Sequence, residues 1–205
     1  MHTENYIRLQ RRAEKLRRVY LPSAFSPTGS YSDNVYEKVR AYKVLVHAEM
    51  EYYFEEIALL IAKKAYQKWQ EKRKASTPLL AMVAYYSGNY SAAPDSHDGN
   101  RSDENIDWRI NKAFADYNAL VRTNNHGIKE RNILSIFLPI GIQISDIDEN
   151  MLIELNNFGA ERGNIAHSTR VGAIVTPEDA FSSVSSLMAH ISAFDEFLKK
   201  YRNSV

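Results

Sequence analysis

From Val35 to Lys72 the chain runs for nearly forty residues without a glycine or a proline. Across it Val35, Val39, Tyr42, Val46, Met50, Phe54, Ile57 and Ile61 recur in steps of three and four. Steps of that size draw one apolar stripe along a helix, where a strand would need alternation. The helix is expected to begin at Asp33 or Asn34, with Asn34 and Glu37 spaced as a capping box. Nearly forty residues is long for a helix of a globular protein, and a kink or break is expected near Ala65. The Lys63–Lys74 tail is mostly polar and basic.

The remaining segments also favour helix. Tyr6, Ile7, Leu9, Ala13, Leu16 and Val19 predict a first helix over Asn5–Tyr20, broken by Leu21-Pro22 and the run Ser26-Pro27-Thr28-Gly29-Ser30. Further helices are expected over Pro78–Tyr86, Ile106–Arg122, Lys129–Phe137 and Glu149–Ala166. The last should start at Thr176-Pro177-Glu178-Asp179 and run to Tyr201, since it has an N-cap threonine, a proline at the first helical position and acids in the first turn. Ile142–Ile147 and Val171–Val175 are compatible with strands but are too few for a sheet. Residues 87–105 are rich in Gly, Ser, Asn and Asp and read as one long flexible loop. The fold class is all-α, a single domain over 1–205 with five to seven helices around a long second one.

Composition removes several function classes. There are no cysteines, which excludes disulfide scaffolds, zinc fingers, iron–sulfur clusters and thiol nucleophiles, and fits a reducing cytoplasm. No run approaches 18 apolar residues, and Met1-His2-Thr3-Glu4-Asn5 has no signal-peptide core, so neither a membrane nor export is expected. Twenty-six basic residues against 25 acidic leave a net charge of +1, unlike a general polycationic coat for nucleic acid. Asp95, Asp98, Asp103 and Asp107 invite a calcium loop, but an EF-hand opening at Asp95 would need ligands where His97, Gly99 and Ile106 stand. No metal site and no cofactor is expected.

Two charged rows remain. Arg8, Arg11, Arg12, Lys15 and Arg18 form one ridge on the first helix, able to grip a phosphate backbone or to pair with acids elsewhere. On the long helix, Arg40, Lys43, His47, Glu51 and Glu55 read as a solvated, salt-bridged face.

The sharpest segment is Phe158-Gly159-Ala160-Glu161-Arg162-Gly163-Asn164-Ile165-Ala166-His167-Ser168; its hexapeptide from Arg162 to His167 lies at the end of a predicted helix and is followed by Ser168, Thr169 and Arg170. Arg162 and His167 lie about 140° apart round such a helix, while Asn164 and His167 share a face. The spacing alone is not decisive, because Arg40 and His47 make a similar pair inside the long helix.

That hexapeptide resembles the R-x(4–6)-H signature of HEPN domains, and Ile-Ala-His is a common ending of it. The layout is similar too: a long second helix bearing His47-Ala48-Glu49-Met50-Glu51-Tyr52-Tyr53, then the motif, then a final helix. The chain is most similar to stand-alone, RiboL-PSP-like HEPN proteins of prokaryotic defence and toxin systems. Family members usually carry Asn, Asp or His directly after the arginine, where this chain has Gly163 and places Asn164 one residue later.

The resemblance implies a metal-independent endoribonuclease in which two protomers bring Arg and His into one cleft, with RNA as partner. His167 would be the general acid/base and Arg162 the stabiliser of phosphate and transition state, with Asn164 orienting the histidine or binding phosphate. Arg170 and the ridge of Arg8, Arg11, Arg12 and Lys15 would contact the RNA backbone, and His47 and Glu51 would be auxiliary. A toxin of this kind would be restrained by a cognate antitoxin or regulatory protein. The alternative is a catalytically silent HEPN module, a dimeric scaffold that binds RNA or protein.

Overall fold

A computed structural model of the chain describes residues 2–86, 105–167 and 175–205, and for 162–167 only the backbone. Among these residues there are seven α-helices and no strand. They are α1 (Glu4–Tyr20), α2 (Asp33–Lys72), α3 (Thr77–Tyr86), α4 (Ile106–Ala119), α5 (Glu130–Phe137), α6 (Glu149–His167) and α7 (Pro177–Ser204). None is long and apolar enough to cross a membrane.

The apolar stripe makes α2 the axis of the bundle. Val39, Tyr42, Val46, Met50, Phe54, Ile57 and Ile61 are all buried. The helix runs its full 40 residues without the expected break near Ala65. Its tail stays helical because it is packed: Ala65 is fully buried, Tyr66 stacks on Phe114 of α4 at 4.4 Å, and Trp69 Nε1 donates to Asp107 at 2.9 Å. The expected capping box is also absent. Ser32 occupies the N-cap position, accepting from Val35 and Tyr36 through its carbonyl, and Glu37 pairs instead with Arg40 at 3.6 Å. The helix stops at Arg73, left-handed at φ 53°.

The other helices wrap this axis. α1 lays Tyr6, Leu9, Ala13 and Leu16 against the core, the three-and-four spacing of its apolar positions. α4 widens into a π-helical turn over Leu120–Asn124, where a plain continuation to Arg122 was predicted. α5 tightens into a 3-10 turn over Leu138–Ile140 and ends at Gly141. The strand-compatible run Ile142–Ile147 forms a second 3-10 turn, Ile144–Asp146, while residues 171–174 of the other run lie outside the described residues. α7 starts as its sequence predicts, with Thr176 Oγ1 accepting from Asp179 N at 3.1 Å and Pro177 in the first turn. Phe194 of α7, Phe137 of α5 and Phe54 of α2 then join edge-to-face at 5.1 and 6.2 Å.

Candidate functional site

One face of α2 carries Lys43, His47, Glu51 and Glu55 at four-residue spacing, and each turn meets a different neighbour. Lys43 Nζ contacts the carboxylate of Glu161 on α6. His47 stacks on Phe158, also on α6, with ring centroids 6.3 Å apart and planes 13° from parallel. Glu51 accepts from the Gly127 backbone N–H at 2.6 Å, and its other oxygen lies 3.7 Å from His47 Nδ1. Glu55 accepts from Asn125 Nδ2 at 3.0 Å, and Asn125 in turn accepts from Asn132. Positions 158 and 161 pair with 47 and 43, so α6 descends antiparallel to α2.

This row is not the solvated face that its charges suggested. Lys43 and His47 are both 2% exposed. The reason is geometric: they lie beside Tyr42 and Val46 of the apolar stripe, and α6 closes over that edge. Burial pushes the Lys43 ammonium down to about 8, against the pull of Asp179; the ring of Phe158 lies 5.2 Å from its nitrogen. Burial likewise raises the Glu55 carboxyl, opposed first by the hydrogen bond from Asn125.

On the other side of α6, Gly159 packs closely on the start of α5: a Cβ there would lie 3.0 Å from Lys129 Cγ, while His47 Nε2 would be at ordinary contact distance, 3.9 Å. One turn earlier, Asn156 accepts from Glu130 N at 2.9 Å and donates to its carboxylate at 3.1 Å. The half of α6 that leads to residue 162 is thus held from two sides.

Arg162, Asn164 and His167 fall in the continuation of that helix, and Arg162 directly follows the Glu161 that Lys43 holds. With the backbone helical through His167, Arg162 and His167 are separated by about 140° of rotation and about 7.5 Å of rise. Their side chains lie outside the described residues, as do Arg170 and the loop segment 87–104. The structure therefore brings His47 and Glu51 together, on the helix against which the motif-bearing helix docks.

The first-helix ridge divides in two. Arg8 lies 4.1 Å over the Tyr52 ring and donates to its hydroxyl at 3.3 Å, and Arg12 pairs with Glu49 at 2.8 Å. Both therefore fasten α1 to α2. Arg11 and Lys15 are exposed and have no acid within ion-pair distance among the described residues.

Sequence reasoning missed Lys43 and Gly127 as parts of the site, and gave no role to Phe158 and Glu161 although they stand in the sharpest segment. The signal for Lys43 was its place beside Tyr42, next to the stripe. No sequence signal identifies Gly127, whose φ of 129° and contact with Glu51 come from the fold.

A family model described as RiboL-PSP-HEPN matches residues 8–200. No curated protein and no solved structure matches the chain.

Proposed function

The chain belongs to the RiboL-PSP-HEPN family, and on that premise we propose that it is a metal-independent endoribonuclease acting as a homodimer. What carries this most directly is the docking of α6, through Phe158 and Glu161 just before the motif, on the buried Lys43 and His47 of α2. A catalytic histidine must be held to within a fraction of an ångström, and buried partners on a rigid helix do that better than a loop.

The chemistry needs no protein nucleophile. His167 takes the proton from a ribose 2′-OH, whose oxygen bonds to the adjacent phosphorus as the bond to the 5′-oxygen breaks. The leaving 5′-oxygen takes a proton from the second protomer's histidine, and the products are a 2′,3′-cyclic phosphate and a 5′-OH end. Histidine suits both transfers because it titrates near neutrality. Arg162 stays cationic and offers its planar fork to the charge growing on the phosphate. The 140° offset between Arg162 and His167 favours a cleft shared by two protomers over one helix face. Asn164 orients the histidine or binds phosphate, Arg170 contacts the RNA backbone, and His47 and Glu51 position the helix. The biological setting proposed is a toxin or abortive-infection effector held in check by a cognate partner.

A second reading rests on Gly163, which stands where relatives usually have a polar residue: a silent dimeric module that binds RNA or protein. RNA incubated with EDTA separates the two. Wild type should cut and leave cyclic phosphate ends, while His167→Ala and Arg162→Ala should not. Intact RNA with wild type, or equal cutting by both variants, overturns the enzyme.

A further inference from the structure

Away from the α2–α6 seam, a groove runs between the π-turn Leu120–Asn124 and α5. It consists of two adjoining cavities of about 390 and 330 Å3, within the range of ligand pockets. Leu120, Arg131 and Ser135 are common to both walls. One cavity continues to Tyr85 and Tyr86 over Leu134, Leu138 and Pro139, and the other is bounded by Asn124 and His126.

Three features distinguish this groove from an ordinary surface dent. Among the described residues no carboxylate lines either cavity, and Arg131, exposed between them, has no acid within ion-pair distance. Tyr85 is 56% exposed at one end, which leaves a ring face free to stack. The far wall is rigid, because Asn125 and Asn132 hydrogen-bond one another and Asn125 is anchored on Glu55. The π-turn that opens it is itself a rare form, frequent at functional sites.

We propose that this groove binds two consecutive nucleosides of single-stranded RNA. The phosphate between them sits on Arg131, one base lies against Tyr85, and the other reaches the amide and imidazole of Asn124 and His126. A cation with an aromatic platform beside it is the common device for holding a single strand, and it tolerates any base. The groove opens on the Glu55 level of α2, and Lys43, beside the motif, is three turns away, about 18 Å along the axis. The RNA is thus held at a distance from the bond that is cut, which makes the groove a determinant of substrate length. This rests on RNA being the substrate, as proposed above.

The test uses the His167→Ala chain, so that binding is read without cleavage, and a fluorescein-labelled single-stranded hexaribonucleotide followed by anisotropy. Arg131→Gln should weaken binding about tenfold and lower the slope of log affinity against log salt by about one. Tyr85→Ala should weaken it about tenfold with the slope unchanged. Both positions are exposed, and circular dichroism melts matching the parent exclude misfolding. Parent-like affinity in both variants overturns the groove, whether or not the wild type cuts RNA. Weakened binding in a protein that never cuts supports the groove and removes the nuclease instead. A His167→Ala chain that binds no RNA overturns the groove and leaves the nuclease to the cleavage test.

Discussion

Lys43 reaches from the N-terminal third of α2 to Glu161, the residue immediately before Arg162. One end of this ion pair is buried and the other half-exposed, with side-chain accessibilities of 3% and 46%. Burial makes the ammonium costly to keep, yet the pair fixes α6 where the motif begins.

The pH dependence of stability follows from that cost. The folded-state pKa of Lys43 is about 8, below its ordinary 10.5. Between those values the unfolded chain binds more protons than the folded one, so stability rises with pH, by at most about 3 kcal/mol. The rise should end near pH 10. Above that the tyrosines raised by burial, Tyr42, Tyr86 and Tyr201 up to about 12, favour the unfolded state as it ionises first. Lys43→Met should abolish the rise between pH 8 and 10 in thermal melts and cost nothing at pH 7, because Glu161 can hydrate. RNA cleavage by the same variant should fall by roughly 10- to 100-fold, through loss of the tie beside Arg162. A variant that keeps the wild-type pH profile would refute the assignment.

A second buried charge has the opposite character. Asp195 is fully buried on α7 and accepts from Thr3 N at 2.8 Å, from the Thr3 hydroxyl and from Tyr53 OH at 2.9 Å, with His2 Nδ1 3.3 Å away. Its donors are satisfied by it, so it stabilises where Lys43 does not. Tyr53→Phe should cost about 1–2 kcal/mol and Asp195→Asn about 2–4, because the amide nitrogen would face donors. Urea unfolding reads both; an Asp195→Asn chain as stable as wild type would contradict the arrangement.

Where the sequence was legible, one period decided the outcome. The α2 stripe and the Thr176-Pro177 start of α7 depend on local spacing and capping, and both appear as predicted. Ala65 escaped because nothing local shows that α4 brings Phe114 and Asp107 to brace the tail beyond it. The charged row failed for a related reason. A four-residue repeat of charges looks the same whether solvent or another helix lies over it, and only the approach of α6, with Phe158 and Glu161, decides. The hexapeptide from Arg162 to His167 could be read directly, but not the residues that seat it.

Gly141 offers a test of the corner between α5 and α7. Its φ of 83° suits glycine, and a Cβ would lie 2.9 Å from both Thr77 Cγ2 and Tyr201 Oη. That hydroxyl donates to Ile140 O at 2.8 Å. Gly141→Ala therefore combines backbone strain with overlap, and should cost about 2–3 kcal/mol. Adding Tyr201→Phe should recover part of this, because the hydroxyl is one of the two clashing groups. No recovery would place the cost in the backbone and the Thr77 contact.

The divided ridge on α1 separates binding from stability. Arg11 and Lys15 are exposed and touch no acid among the described residues, whereas Arg12 is held by Glu49 and Arg8 by Tyr52. If the ridge contacts RNA, Arg11→Gln and Lys15→Gln should each lower the salt slope of RNA binding by about one and leave the melting temperature unchanged. Arg12→Gln should instead cost up to about 1 kcal/mol in stability, as expected for a largely exposed ion pair. Its effect on RNA affinity should be smaller, because the guanidinium is already engaged and would have to leave Glu49 to reach a phosphate. Equal losses of affinity at Arg11 and Arg12 would show that the Glu49 pair opens on binding. No loss at Arg11 or Lys15 would leave α1 with a purely structural role.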